Sequence, residues 1–207
     1  MGGQGGSTPI LPVEYQQVEY IKSSQTQYIN TGILYHTNTV YLDARVLDNG
    51  SALGVAKSGD MANKEFTISC SIQSGSNFGV YVSSNNSKKW QSGPSYGHNR
   101  FEIVTNDDDG NILFNGTTYT PSGSLDTNQA NTIPLWLFAR NHGGNINNPS
   151  TTEIYRCKFW ERTTGELLAD FIPCYRKADN EVGMYDLVSE TFKTNSGTGV
   201  FEKGADV

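Results

Sequence analysis

Apolar residues along this chain recur at every second position over short stretches, not at the three-to-four spacing of a helix face. In "NTVYLDARVLD", Val40, Leu42, Ala44 and Val46 alternate with Tyr41, Asp43 and Arg45, the period of a half-buried strand. "KEFTISCSIQ" puts Phe66, Ile68, Cys70 and Ile72 on one face, and "NFGVYVSS" does the same with Phe78, Val80 and Val82. "TEIYRCKFWER" alternates Ile154, Arg156, Lys158 and Trp160 against Tyr155, Cys157, Phe159 and Glu161. "TIPLWLFARN" is a continuous apolar run and predicts one fully buried strand. "VEYIKSS" and "QYINTGIL" read as two short strands with a turn around Ser24 to Thr26.

Turn dipeptides punctuate these segments. Asn49-Gly50 precedes the small strand "SALGVAK". In "RFEIVTNDDDGNILFNGTTY", Asp109-Gly110 marks the clearest hairpin, and Asn115-Gly116 marks a second turn. "NNSKKWQSGPSYGHN" reads as a long polar loop or a weak edge strand. About a dozen strands and no amphipathic helix predict a sandwich or jelly roll. No composition break follows residue 10, so residues 11–207 read as one domain.

Composition narrows the function classes. The net charge is -6, and the densest basic cluster is Lys88-Lys89, so no nucleic-acid partner is expected. No apolar run reaches the roughly 18 to 20 residues of a membrane span, so no membrane insertion is expected. Cys70, Cys157 and Cys174 form an odd set without C-x-x-C spacing and read as buried reduced thiols. The start "MGGQGGSTPILPVEY" lacks a basic n-region and an apolar h-region. Taken as a whole gene product, the chain is expected not to use the general secretory route; a domain cut from a longer secreted protein is the alternative. Residues 1–10, with Gly2, Gly3, Gln4, Gly5 and Gly6, read as an assembly arm or a linker.

"LPVEYQQVEYIKSSQTQYINTGI", "LFARNHGG" and "ADFIPCYRKADNEVGMYDLVSETFKTNSGTG", in this order, resemble concanavalin A-like, laminin G-like domains of gut bacteria, their prophages and phages. The resemblance covers roughly residues 11 to 203. It implies an all-β fold, a two-sheet antiparallel jelly-roll β-sandwich, often binding carbohydrate. It also implies that the first and last strands pair, bringing "EYIKSS" near "GVFEKG". The charged and aromatic closing stretch from Phe171 to Gly199 is then expected to close the fold, not to do chemistry.

Catalysis finds no support in the spacing of acidic residues. Laminarinase-type members of this superfamily carry carboxylates on one strand as E-x-D-x-E or E-x-D-x-x-E, and no such run occurs here. His36, His98 and His142 lie in polar loop contexts without a nucleophile elbow. No P-loop or dinucleotide fingerprint occurs, so no cofactor is expected. Asp107 to Asp109 read as turn residues; the resemblance leaves a structural calcium at a sandwich rim open, with no ligand named.

Carbohydrate binding asks for flat aromatic faces beside amide or charged groups. Two stretches offer these. "KWQSGPSYGHNR" supplies Trp90, Tyr96, His98 and Arg100, and "FARNHGGNINN" supplies Arg140, Asn141, His142 and Asn145. The first reading is a non-catalytic bacteriophage virion accessory protein that joins other virion proteins through its arm, forms a homo-oligomer and contacts cell-surface or mucus glycans. The alternative is a carbohydrate-binding domain of a bacterial secreted or cell-surface protein, and a glycoside hydrolase ranks last.

Overall fold

The structure is a computed structural model. It describes residues 11–35, 38–56, 65–71, 77–84, 87–95, 99–105, 111–120 and 132–207, with backbone alone for 56, 65, 70–71, 77–84 and 87–95. In chain order the strands begin with β1 (Tyr15–Gln17), β2 (Ile21–Lys22), β3 (Ile29–Leu34), β4 (Thr39–Val46), β5 (Gly50–Ala56) and β6 (Glu65–Ser71). Next come β7 (Asn77–Ser84), β8 (Ser87–Ser95), β9 (Phe101–Thr105), β10 (Ile112–Phe114), β11 (Thr117–Tyr119) and β12 (Pro134–Leu137). The chain finishes with β13 (Arg140–His142), β14 (Asn145–Asn147), β15 (Thr152–Trp160), β16 (Leu167–Arg176), β17 (Glu181–Asp186), β18 (Thr191–Thr194) and β19 (Glu202–Lys203). No helix occurs among the described residues.

These strands form two sheets. The larger has 11 strands with a central order β11-β10-β9-β4-β15-β16-β17-β18, and the smaller has 8 with β14-β13-β5-β6-β7-β8. Alternation decides which side chains meet between them. Leu42, Ile103, Phe159 and Phe171 of the larger sheet share one buried cluster with Leu53, Phe66, Ile68 and Leu137 of the smaller. Each such side chain, fully buried, contributes about 1.5–3 kcal/mol. The outward positions of the larger sheet carry Tyr41, Asp43 and Arg45 on β4, as the period-2 pattern predicts.

The closing stretch builds the edge of this sheet. β16, β17 and β18 form an antiparallel meander, with Asn180 taking φ 58 in the first turn. β2 pairs with β19, Ile21 opposite Lys203, so the two ends of the described chain meet as the resemblance implies. The second turn of the sequence reading is also present. Asn115 and Gly116, at φ 46 and 78, join β10 to β11, the positive-φ pair that a two-residue hairpin requires. The Asp109-Gly110 turn, Asp107 and Asp108, and the arm of residues 1–10 lie outside the described residues.

"VEYIKSS" and "QYINTGIL" give β2 and β3 with a bend at residues 25–26 between them, β2 in the larger sheet and β3 in the smaller. Two local expectations change. "TIPLWLFARN" is not one strand. Leu135 to Ala139 are all buried, but the chain breaks at Phe138, φ 70, and β13 departs parallel to β5 where β12 ran antiparallel. Phe138 is held there by its N–H on Ala52 O (2.6 Å) and by its ring against Phe201 (centroids 4.9 Å apart). The second change lies on β15, where the strict alternation fails at Tyr155.

Candidate functional site

Between β15 and β4 the ladder runs Ile154 opposite Ala44, then Arg156 opposite Asp43. Tyr155 is therefore an extra residue, a β-bulge. Bulges re-aim side chains. Ile154, Cys157 and Phe159 enter the core, while Arg156, Lys158 and Trp160 stand on the outer face. Tyr155, expelled from the alternation, joins Arg156 on that same face.

The two line a cleft of about 620 Å³ with Tyr41, Asp43, Arg100, Glu19, Gln17, Val18, Ile172 and Val207. A second hollow of about 140 Å³ is lined by Tyr41, Arg156, Lys158 and Trp160. Tyr41 and Arg156 belong to both, so the hollows are contiguous along β15. The volume suits a small ligand.

The floor is organised by paired charges. Arg100 donates from Nε and Nη2 to the two oxygens of Asp43 at 2.7 and 2.5 Å. Its guanidinium lies 3.8 Å from the Tyr155 ring centroid, a cation–π stack. Arg156 forks in the same way onto Asp170 at 2.9 and 2.7 Å, and Lys158 Nζ lies 3.4 Å from the same carboxylate. The Tyr155 hydroxyl donates to Glu153 at 3.0 Å. Hydrogen bonds to Asp43 and Asp170 raise the Arg100 and Arg156 pKa values. Burial, then the hydrogen bond to Glu153, pushes the Tyr155 phenol up to about 12. Burial chiefly raises Tyr41 as well, with Asp43 and Glu102 adding to it. Both phenols stay protonated at neutral pH.

Asp43 also faces Glu102 across the β4–β9 ladder. This carboxylate neighbourhood arises between strands, where sequence spacing cannot reveal it. Both oxygens of Asp43 accept from Arg100.

Of the described residues singled out from the sequence, Arg100 lines the cleft, and Arg140, Asn141, His142 and Asn145 do not. Trp90 lies on β8, the end strand of the smaller sheet's order, so of loop and edge strand the structure has the strand; its side chain, with Tyr96 and His98, lies outside what is described. Arg140, Asn141 and His142 form β13, and Asn145 opens β14 across a Gly143-Gly144 turn. Arg140 and Asn141 are tied up in and beside that hairpin, while His142 Nε2 is buried without a hydrogen-bond partner. Arg140 forks onto Asn147 Oδ1, and Asn141 donates to Pro134 O (2.8 Å) while accepting from Gly144 N (2.8 Å). Backbone register nevertheless links two of them. Arg140 pairs with Gly54, Gly54 with Thr67, Thr67 with Tyr81 and Tyr81 with Trp90, a single row across the smaller sheet.

The sequence reading missed Tyr41, Asp43, Tyr155, Arg156 and Trp160. Their signal was the outward half of two alternating strands, "YLDAR" and "YRCKFW", where Tyr, Trp and Arg replace the Ser and Thr usual on a solvated face. Cys157 and Cys174 are buried and free, and Cys70's side chain lies outside the described set. Among the described residues, no group of three or more His, Cys, Asp or Glu side chains could hold a metal ion.

The sequence matches no protein-family model and no curated protein sequence. Its fold is similar to solved structures of the CBM40 of Ruminococcus gnavus IT-sialidase. One has TM-score 0.52 at 11% identity. The forms bound to α2,3 and α2,6 sialyllactose have 0.52 at 13% and 0.51 at 14%. In each, 69% of this chain and 90% of the other are covered. The all-β sandwich expected from the sequence is thus the fold of the chain, and its structural neighbours are carbohydrate-binding modules, not catalytic domains.

Proposed function

We propose that this chain is a non-catalytic carbohydrate-binding domain of a bacterial secreted or cell-surface protein, and that the outer-face cleft of its larger sheet holds the sugar. The observation that carries this reading is the cleft itself: Tyr41, Tyr155 and Trp160 stand beside two forked Arg–carboxylate pairs on an open sheet face. Rings and the stacked guanidinium supply flat surface for a sugar's C–H face, and the charge pairs supply donors and acceptors for hydroxyls. The likeness to carbohydrate-binding modules supports the same reading at the level of fold. It favours this alternative over the virion accessory role.

Glycan-array screening followed by titration calorimetry tests it. Tyr155→Ala and Trp160→Ala are each expected to weaken binding at least about tenfold, the scale of one lost aromatic–sugar contact, with circular dichroism unchanged. Full affinity in both variants would remove the cleft from the site.

A further inference from the structure

We infer that the cleft selects a neutral glycan over an acidic one. The inference rests on the glycan-binding reading above and names the sugar class of the same site. The sialyllactose complexes of the structural neighbours point to acidic sugars, whereas the charges on this floor point the other way.

Arg100 is already matched by Asp43, and Arg156 and Lys158 share Asp170. Four charged residues line the larger hollow: Glu19 and Asp43 are acidic, Arg100 and Arg156 basic, two against two. Asp43 already offsets the Arg100 charge, and an acidic sugar takes the Nε–Nη2 edge only by displacing that carboxylate. The Asp43 side chain is 6% exposed, so a displaced carboxylate finds no water to replace its two charge-assisted bonds. The same holds for Arg156, because the Asp170 side chain is 7% exposed. A sugar hydroxyl makes no such demand. It donates and accepts at once, and a forked Arg–carboxylate pair offers outer N–H groups and carboxylate lone pairs side by side. Neighbouring hydroxyls on one ring fit that alternation without opening either pair. The exposed half of Arg100, with 54% of its side chain open, is the edge they would meet.

The whole chain is screened against immobilised lactose, maltotriose, cellotriose, mannotriose and chitotriose, and against sialyllactose and a hexuronate trisaccharide, each at about 50 and about 500 mM salt. Binding to at least one neutral sugar is expected, changing less than about twofold with salt, and no tighter for sialyllactose than for lactose. An acidic-sugar preference of about tenfold or more that collapses at high salt would overturn the inference while leaving a glycan-binding domain. Binding to neither class would fell the glycan-binding reading and this inference with it. Neutral binding untouched by Tyr155→Ala would keep the domain's role but move the sugar elsewhere, which also overturns the inference. Asp43→Asn supplies a second readout. It keeps the shape, uncovers the Arg100 charge, and should add sialyllactose binding by about tenfold or more at low salt. A folded Asp43→Asn protein without that gain would show that the pair does not set selectivity, and the inference would fail.

Discussion

Arg100 spans the boundary between recognition and stability, because its side chain is 54% exposed while its partner Asp43 is 6% exposed. Truncation of such a pair is unequal. Removing the arginine leaves a carboxylate out of water with both oxygens unmatched, whereas an exposed ion pair loses little. Arg100→Ala is therefore expected to lower unfolding free energy by about 2 kcal/mol, read from urea denaturation midpoints. Arg176→Ala, which opens the exposed Arg176–Asp179 pair, should leave the midpoint unchanged. Equal shifts in the two variants would contradict the buried-partner argument. At this scale the sequence was only partly legible. Arg100 stood out among aromatic and amide neighbours, but its partners lie far away in the chain, at Asp43 and Tyr155. Charge pairs of that kind are set by strand register, which alternation alone does not number.

On the element scale the informative feature is the bulge in β15. Alternation correctly identified the strand, yet it grouped Ile154 with Arg156, and the structure puts one in the core and the other in the cleft. An inserted residue leaves no mark in composition, because Tyr is at home in any strand. Deleting Tyr155 places Ile154 directly before Arg156 and restores an unbroken in–out alternation with Ala44 and Asp43 opposite. The deletion variant is expected to fold, with its core residues still inward, and to lose glycan binding along with the Tyr155 ring. Far-ultraviolet circular dichroism and titration with the best-binding sugar would check both halves. A deletion variant that binds normally would mean that the bulge serves packing, not the cleft. The run "TIPLWLFARN" makes the same point. Its burial was readable, but the reversal at Phe138 depends on a backbone hydrogen bond to Ala52 that no local pattern announces.

For the whole molecule, closure was the most legible property: the turn residues of the last stretch and the pairing of β2 with β19 follow the sequence reading. Closure also makes the protein sensitive to alkali, because the sealed sandwich traps protons. Burial pushes the Cys174 thiol from its ordinary 9.0 up to about 12 and raises Cys157 well above the same value. In each case the folded state holds its proton more tightly than the unfolded chain. The associated stability is present below the unfolded value, and it drains away as pH rises toward the folded one. Unfolding free energy should accordingly fall between about pH 9 and about pH 12, by up to about 1.4 kcal/mol per pH unit for each group. Urea denaturation across that window measures the slope, and Cys174→Ala should flatten it by about one group's share. A wild-type profile that stays level through the window would show that these thiols reach solvent in the native state, and with that the sealed sandwich would have to be redrawn.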